Sequence, residues 1–236
     1  MSDVRYDATE EAVAVQNLPE RAADGLMAAF NAAVDQQWKR AQARVASEQR
    51  RRPDPSAESI AASIVRDFRR DLTVIGAVSG STAAIPGAGT AVRVVAGLGA
   101  EGVALLERSA LMTLTVAHAY GHDLSDLEIR KYALLRVLGV WAGAAEGMSG
   151  FSSLVAAGLG KKATKAIPMS AVHAVNKAVG KRVVVKWATK SGVLRLGSVL
   201  PFGIGAGLGA GSNHLMARGL GKVAIAEFSY GVQADA

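Results

Sequence analysis

Two histidines and two aspartates fall within residues 117 to 128, which read AHAYGHDLSDLE, and side chains of these types can bind a metal ion. In the zinc motif H-E-x-x-H, two histidines four residues apart share one face of a helix, and the glutamate activates the bound water. His118 and His122 have this spacing, but the glutamate is missing, and Gly121 is expected to end the helix between them. We therefore expect no metal at these residues, and no other cofactor is expected either.

The same stretch is better explained as the end of one helix and the start of the next. Gly121 is expected to be the C-terminal cap, since glycine has no Cβ and enters the left-handed region freely. Ser125 and Glu128 have the spacing of an S-x-x-E capping box, which would satisfy free amides of the following helix. The structural turn predicted here consists of Tyr120, Gly121, Asp123, Ser125 and Glu128.

Parts of several enzyme motifs occur in the sequence, but each lacks either the secondary structure or the remaining residues that the motif requires. Residues 97 to 102 read GLGAEG and match G-x-G-x-x-G, yet residues 90 to 120 have the spacing of one continuous helix, not of a strand that precedes one. Residues 158 to 161 read GLGK without the remaining P-loop residues, and neither Ser79 nor Ser149 completes a nucleophile elbow. We expect no enzyme, and a nucleotide-dependent enzyme that uses residues 97 to 102 is kept as an alternative.

The charge of the chain is strongly segregated. The formal net charge is +7, but residues 147 to 226 carry eleven Lys and Arg and no Asp or Glu. Such a segment suits phospholipid headgroups or nucleic acid phosphates, or else forms a solvated basic face. Within it, KRVVVKWATK places a tryptophan among cations, as at a membrane interface. The predicted contacts with anionic lipid are Lys161, Lys162, Lys165, Lys177, Lys181, Arg182, Lys186, Trp187 and Lys190.

Helical periodicity organises the N-terminal part of the chain. Beyond Pro19, apolar residues recur at helical spacing from Leu26 to Val45 and predict a long amphipathic helix that packs onto the body of the protein or onto a partner helix. Pro53 and Pro55 end this helix, so residues 1–56 are interpreted as an extension with a linker and residues 57–236 as the main domain. A second helix is expected from about residue 56 to residue 72.

Three long stretches rich in small apolar residues follow, at 72 to 92, 138 to 160 and 196 to 217. Each is about as long as a membrane span, but prolines and glycines interrupt them, so insertion into lipid and tight packing in a soluble core are both left open. In the third stretch, glycines four residues apart would leave a bare groove into which another helix can press. The predicted helix-packing groove consists of Gly203, Gly205, Gly207, Gly209, Gly211 and Asn213.

The composition of the chain indicates which fold class and which cellular compartment to expect. No stretch alternates apolar and polar residues as an exposed strand would, and Gly and Ala are abundant, so the expected fold is all-α. We expect a helical bundle with closely packed Gly/Ala-rich hairpins and a long N-terminal amphipathic helix. The chain contains no cysteine, and its first residues include acids without an apolar signal-peptide core, so we expect it in the cytoplasm. Together with the basic segment, this leads us to expect it at the cytoplasmic face of the membrane.

Three segments resemble the EcsC family, bacterial proteins named for the companion of an ABC transporter's ATPase and permease. They read IPGAGTAVRVVAGLGAEGVALLERSALMTLTVA, AYGHDLSDLEIRKYALLRVLG and LPFGIGAGLGAGSNHLMARGLGKVAIAEF, and lie within residues 60 to 228. The resemblance implies a helical, membrane-associated accessory protein without an established catalytic residue. His122 departs from the aromatic or apolar residue expected there. The residues similar to the family are Tyr120, Gly121, Asp123, Leu124, Pro201, Gly205, Gly209, Asn213, Arg218 and Phe228.

These observations lead to one expected function and its alternatives. We expect a non-enzymatic membrane-associated accessory or scaffold protein that binds anionic lipid surfaces and assists a transporter or a membrane assembly. Its partners would be the anionic membrane, a membrane protein and further copies of the chain, whereas nucleic acid is not expected. A soluble helical scaffold that associates with itself through its glycine grooves is the first alternative.

Overall fold

The computed structural model describes residues 20–51, 55–82, 100–144, 168–191 and 204–229, with side chains at 20, 23–51, 55–76, 102–144, 168–191 and 211–229. Within these ranges the chain forms six α-helices and no strand, which confirms the all-α prediction. The helices are α1 (Glu20–Arg51), α2 (Ala57–Thr82), α3 (Ala100–Ala119), α4 (Leu127–Ala142), α5 (Met169–Lys190) and α6 (Ile204–Ser229).

The long helix α1 is built into the bundle. Its apolar stripe, which includes Leu26, Phe30 and Val34, is buried, and the helix packs mainly against α3 and also against α5. The expectation that this stripe packs onto the body of the protein is confirmed. One hydrophobic cluster takes side chains from all six helices, so α1 contributes to the same core as the rest of the described chain.

Helices α2 and α6 form the most extensive pair in the fold. The α2 helix starts where the sequence predicts, with the Ser56 hydroxyl accepting a hydrogen bond from the amide of Ser59 at 3.2 Å, but it continues past residue 72 to Thr82. Thr73 lies beside His214, whereas Val65 lies beside Gly221. Because the earlier residue of α2 meets the later residue of α6, the two helices run antiparallel.

Within the part of α6 whose side chains the structure describes, residues 211–229, the close helix contacts lie nearer the C-terminal end than the predicted groove. A Cβ added at Gly219 would lie 2.5 Å from Nε1 of Trp141, and one added at Gly221 would lie 2.3 Å from Cγ1 of Val65. At Gly211 a Cβ would meet no atom within 4 Å, so this residue, assigned to the groove from sequence, does not touch a neighbouring helix. Asn213 is buried, Gly203 lies outside the described residues, and Gly205, Gly207 and Gly209 are described only as helical backbone.

The small-residue stretches are only partly described. The first stretch supplies the end of α2, the second the end of α4, and the third the first half of α6, while most of their remaining residues lie outside the described ranges. Among the helices that the structure describes, none combines the length and the apolar character needed to cross a bilayer.

Candidate functional site

The turn after α3 confirms the capping interpretation at Gly121. This residue has φ of +78°, and its amide donates to the carbonyl of His118 at 3.0 Å. The amide of His122 donates to the carbonyl of Ala117 at 3.1 Å, which completes a Schellman motif. The left-handed position is therefore a consequence of how the helix ends.

The start of α4 differs from the predicted capping box by one residue. Asp126, not Ser125, is the N-cap, and its carboxylate accepts from the amides of Glu128 at 2.6 Å and of Ile129 at 3.4 Å. The amide of Ser125 instead donates to the carboxylate of Asp123 at 3.0 Å. The side chain of Glu128 binds elsewhere, because it accepts hydrogen bonds from Lys131 and Asn176 that together hold its pKa below the usual value although burial alone would raise it.

Arg130 fixes the shape of this turn, and sequence reasoning did not assign it a role. Its Nη1 donates to the carbonyls of Leu124 at 2.8 Å and Ser125 at 2.7 Å, and its guanidinium lies 5.5 Å from the ring centroid of Trp38. The side chain is buried, and a buried charge needs such partners. The available signal was weak, because Arg130 is one of three cations in the largely apolar helix α4, with Lys131 and Arg136.

Both histidines of the turn have protein partners. The His118 ring packs edge-on against Trp38, with ring centroids 5.3 Å apart. His122 Nε2 lies 2.9 Å from the carbonyl oxygen of Phe228, and since a carbonyl only accepts, Nε2 carries the proton. Burial lowers the pKa of both rings. Within the described ranges, no group of three or more His, Asp or Glu side chains is arranged to hold a metal ion.

The aromatic residue assigned to a membrane interface is a core residue. Trp187 is fully buried, so it cannot present its ring to lipid. Its neighbours Lys186 and Lys190 bind the last turn of α4, where they donate to the carbonyls of Gly143 at 2.9 Å and Trp141 at 2.6 Å. Cations at the carbonyl end of a helix are stabilising, so these two lysines have a structural role.

The other cations that the sequence predicts to contact anionic lipid have different environments. Lys181 forms an exposed ion pair with Asp24 of α1 at 2.8 Å, and this partner raises the pKa of the lysine. Lys177 and Arg182 are exposed. Lys161, Lys162 and Lys165 lie outside the described residues.

A second basic surface lies on the outer side of the α2 and α6 pair. The contact residues Val65, Thr73, His214 and Gly221 are each followed by an exposed residue. Because both helices are right-handed and they run antiparallel, these following residues project from the same side of the pair. We call this surface the α2/α6 face. Its exposed residues are Arg66, Arg70, Val74, Leu215, Arg218 and Lys222.

Two acidic residues of α2 form ion pairs with neighbouring helices, and the third, Glu58, is exposed in the first turn of the helix. Asp67 pairs with Arg44 of α1, and Asp71 pairs with Arg108 of α3 at 3.2 Å, so both carboxylates point toward the neighbouring helices. None of the ion pairs found in the described residues includes a cation of the α2/α6 face. The cations of the face therefore form no ion pair within the described residues, although Arg66 lines a surface pocket together with Glu48 and Asp67.

Beneath the face, His214 joins the two helices through polar contacts. Arg69 Nη2 lies 3.1 Å from His214 Nε2, and since a guanidinium only donates, Nε2 accepts. Nδ1 then carries the proton and donates to the Thr73 hydroxyl at 3.3 Å, which itself donates to the carbonyl of Arg69 at 2.7 Å. These hydrogen bonds fix the register of α2 against α6 beneath the exposed cations of the α2/α6 face.

The nucleotide motif gains no support from the described residues. Gly102 is buried inside α3, residues 97 to 99 lie outside the described ranges, and the described chain contains no strand from which a dinucleotide fold could be built. Comparisons of the chain with protein-family models, with curated proteins and with solved structures find no match.

Proposed function

We propose that the protein is a non-enzymatic accessory or scaffold protein that binds the anionic cytoplasmic surface of a membrane through the α2/α6 face and there assists a transporter or membrane assembly. One observation carries the proposal. Val74 and Leu215, which are 56% and 67% exposed, lie at one end of the described part of a face whose cations have no ion-pair partner among the described residues. Large exposed apolar side chains beside unbalanced cations match an interface where headgroups and acyl chains meet.

The order of residues along the α2/α6 face supports an orientation in which its apolar end faces the membrane interior. Val74 and Leu215 lie toward the C-terminal end of α2 and the N-terminal end of α6, whereas Arg66 and Lys222 lie farther along the pair. After Asp71 the α2 helix has no acid, and α6 has none before Glu227. The apolar end can therefore approach the acyl region while the cations remain at headgroup depth.

The apolar residues favour lipid over nucleic acid. A duplex would use Arg66, Arg70, Arg218 and Lys222 through its phosphates, but it would leave Val74 and Leu215 against a polar backbone. Each cation near an anionic surface contributes about 1 kcal/mol, and each apolar side chain adds at most about 1.5–3 kcal/mol when fully buried. Binding through this face alone is therefore expected to be weak, reversible and partly sensitive to salt.

Flotation with liposomes tests the proposal and compares the two basic surfaces. The full chain should float with vesicles of phosphatidylcholine containing phosphatidylglycerol, and float less with phosphatidylcholine alone. Arg70→Glu with Arg218→Glu should remove the part of binding that high salt also removes, whereas Lys177→Glu with Arg182→Glu makes the same charge change on α5 and should have a smaller effect.

The opposite ranking of the two double variants would assign the contact to α5. Equal flotation on neutral and anionic vesicles, or no flotation together with salt-dependent binding to DNA, would refute the proposal. If Leu215→Ser instead abolishes a concentration-dependent dimer and leaves flotation unchanged, the face is a self-association surface, as the scaffold alternative requires.

A further inference from the structure

A groove lies between α1 and α2, next to the α2/α6 face. Each of these two helices packs against α3, but they make little contact with each other, so residues of α3 form the floor of the groove. Two cavities lie along it, one of about 350 Å³ and one of about 100 Å³, and both are bordered by Arg44 of α1 and Asp67 of α2. Because the cavities share these residues, they are neighbouring parts of one surface, which we call the α1/α2 groove.

The smaller cavity has an apolar floor. A water molecule needs roughly 10–15 Å³ on this measure, so the space of about 100 Å³ accommodates about seven to ten heavy atoms. The charged residues at its edge are already paired, since Arg44 binds Asp67. Asp71 likewise binds Arg108 at 3.2 Å. This end of the groove therefore suits an uncharged aliphatic chain, which would lie against Ile64, Phe68, Leu111 and Met112.

The larger cavity is polar and carries an excess of positive charge. Three arginines and two carboxylates line it, and both carboxylates are bound by one arginine, because Arg44 Nη2 lies 3.2 Å from Glu48 Oε1 and also pairs with Asp67. The other two arginines, Arg51 of α1 and Arg66 of α2, are exposed and form no ion pair within the described residues. They reach the cavity from its two walls, so this end of the groove suits an anionic group.

We propose that the α1/α2 groove binds one molecule of a single-chain amphiphile whose head is a phosphate monoester. The phosphate accepts hydrogen bonds from Arg51 and Arg66, and the aliphatic chain lies in the smaller cavity. Two guanidinium groups from different helices match this head, because it has three terminal oxygens and roughly two negative charges at pH 7.5. A carboxylate offers only two oxygens and one charge, so a fatty acid should bind more weakly.

The ion pair between the two cavities does not close the groove. The side chains of Arg44 and Asp67 are 38% and 51% exposed, so they lie at the rim, above the apolar floor formed by α2 and α3. A chain can therefore pass along the floor from one cavity to the other. The inference goes beyond the proposed function and does not rest on it, since the groove takes up single molecules from water.

Titration of the full-length protein with octyl phosphate, below the concentration at which it forms micelles, tests the proposal. Methyl resonances of Ile64 and Leu111 should show saturable chemical-shift changes. Ethyl phosphate, which lacks the chain, and octyl glucoside, which lacks the charge, should each bind at least about tenfold more weakly. Arg51→Gln should weaken octyl phosphate binding by about tenfold, as expected for the loss of a charge-assisted hydrogen bond. Arg50→Gln is the matched control, because it makes the same charge change at the neighbouring exposed residue, which does not line the groove.

The proposal is wrong if no saturable shifts occur, or if ethyl phosphate or octyl glucoside binds as tightly as octyl phosphate. Equal weakening by Arg50→Gln and Arg51→Gln would also overturn it, because only overall charge would then matter. Tighter binding of octanoate than of octyl phosphate would overturn the assignment to a phosphate. Since Arg51 is not part of the α2/α6 face, Arg51→Gln should leave flotation with liposomes unchanged, so each proposal can fail without the other.

A second variant tests the apolar end of the groove. Leu111 is only partly buried, and in Leu111→Trp the larger ring should occupy the smaller cavity. The affinity for octyl phosphate should then fall to that for ethyl phosphate, and an unchanged affinity would contradict the placement of the chain. Thermal unfolding without ligand checks that the variant folds, while the comparison of Arg50 with Arg51 involves only exposed side chains and does not depend on packing.

Discussion

At the residue scale, the stretch from His118 to Asp126 shows what local chemistry can and cannot predict. Gly121 could be placed correctly because only a left-handed cap explains a glycine between two helical patterns. The N-cap was missed by one residue because Ser125 and Asp126 are adjacent and both are good capping residues. Arg130 was missed because its acceptors are backbone carbonyls, which no sequence pattern displays.

The two partly buried histidines, His118 and His122, predict how stability depends on pH. Burial lowers the pKa of His122, and nearby Arg136 lowers it further although the hydrogen bond to Phe228 opposes this; burial also lowers the pKa of His118. Below the ordinary histidine value of about 6.5, the unfolded chain binds protons that the folded chain does not, so stability should be lost as pH falls through this range.

Urea denaturation at pH 7.5 and at pH 5.5 measures this effect. The native chain should lose free energy of unfolding at the lower pH, and His118→Gln with His122→Gln should lose clearly less. The comparison uses the change with pH in each protein, so a constant loss of stability in the variant does not affect it. An equal loss in both proteins would assign the pH dependence to groups other than these two histidines.

At the element scale, helix existence was predictable and helix contacts were not. Apolar spacing located α1 and the start of α2, because a buried face must repeat every three to four residues. The same spacing could show that α6 has glycine-rich faces, but not which turn meets a neighbour, since that depends on Trp141 and Val65 from distant parts of the chain. Trp187 was misplaced for the same reason, as its lysine neighbours bind α4.

Two glycines of one helix should respond oppositely to alanine. Gly219→Ala should destabilise the protein by about 1–3 kcal/mol, because the new methyl group would overlap the Trp141 ring. Gly211→Ala should stabilise it by about 0.5–1 kcal/mol, because the position is exposed, has no neighbour within 4 Å and gains helix propensity. Chemical denaturation of both variants checks this, and a loss of stability at Gly211 would indicate that the predicted groove is packed in solution.

At the scale of the whole molecule, the packing of helices that are distant in sequence determines where charged side chains come together on the surface. The sequence indicated an excess of cations from residue 147 onward, yet two of the four cations on the α2/α6 face, Arg66 and Arg70, come from the half with balanced charge. Their acidic neighbours Asp67 and Asp71 point to α1 and α3 and are paired there. The surface exists only because α2 packs against α6, and no local pattern reveals that pairing.

We propose that Leu215 enters the membrane while α5 stays in water, and one fluorescence measurement tests this most directly. The chain has no cysteine, so Leu215→Cys and Lys177→Cys each create a single site for an environment-sensitive dye. With anionic vesicles, the dye at position 215 should shift to the blue and become protected from an aqueous quencher, and the dye at position 177 should change little. A shift at 177 without one at 215, or no shift at either position while the protein floats with the vesicles, would contradict the account.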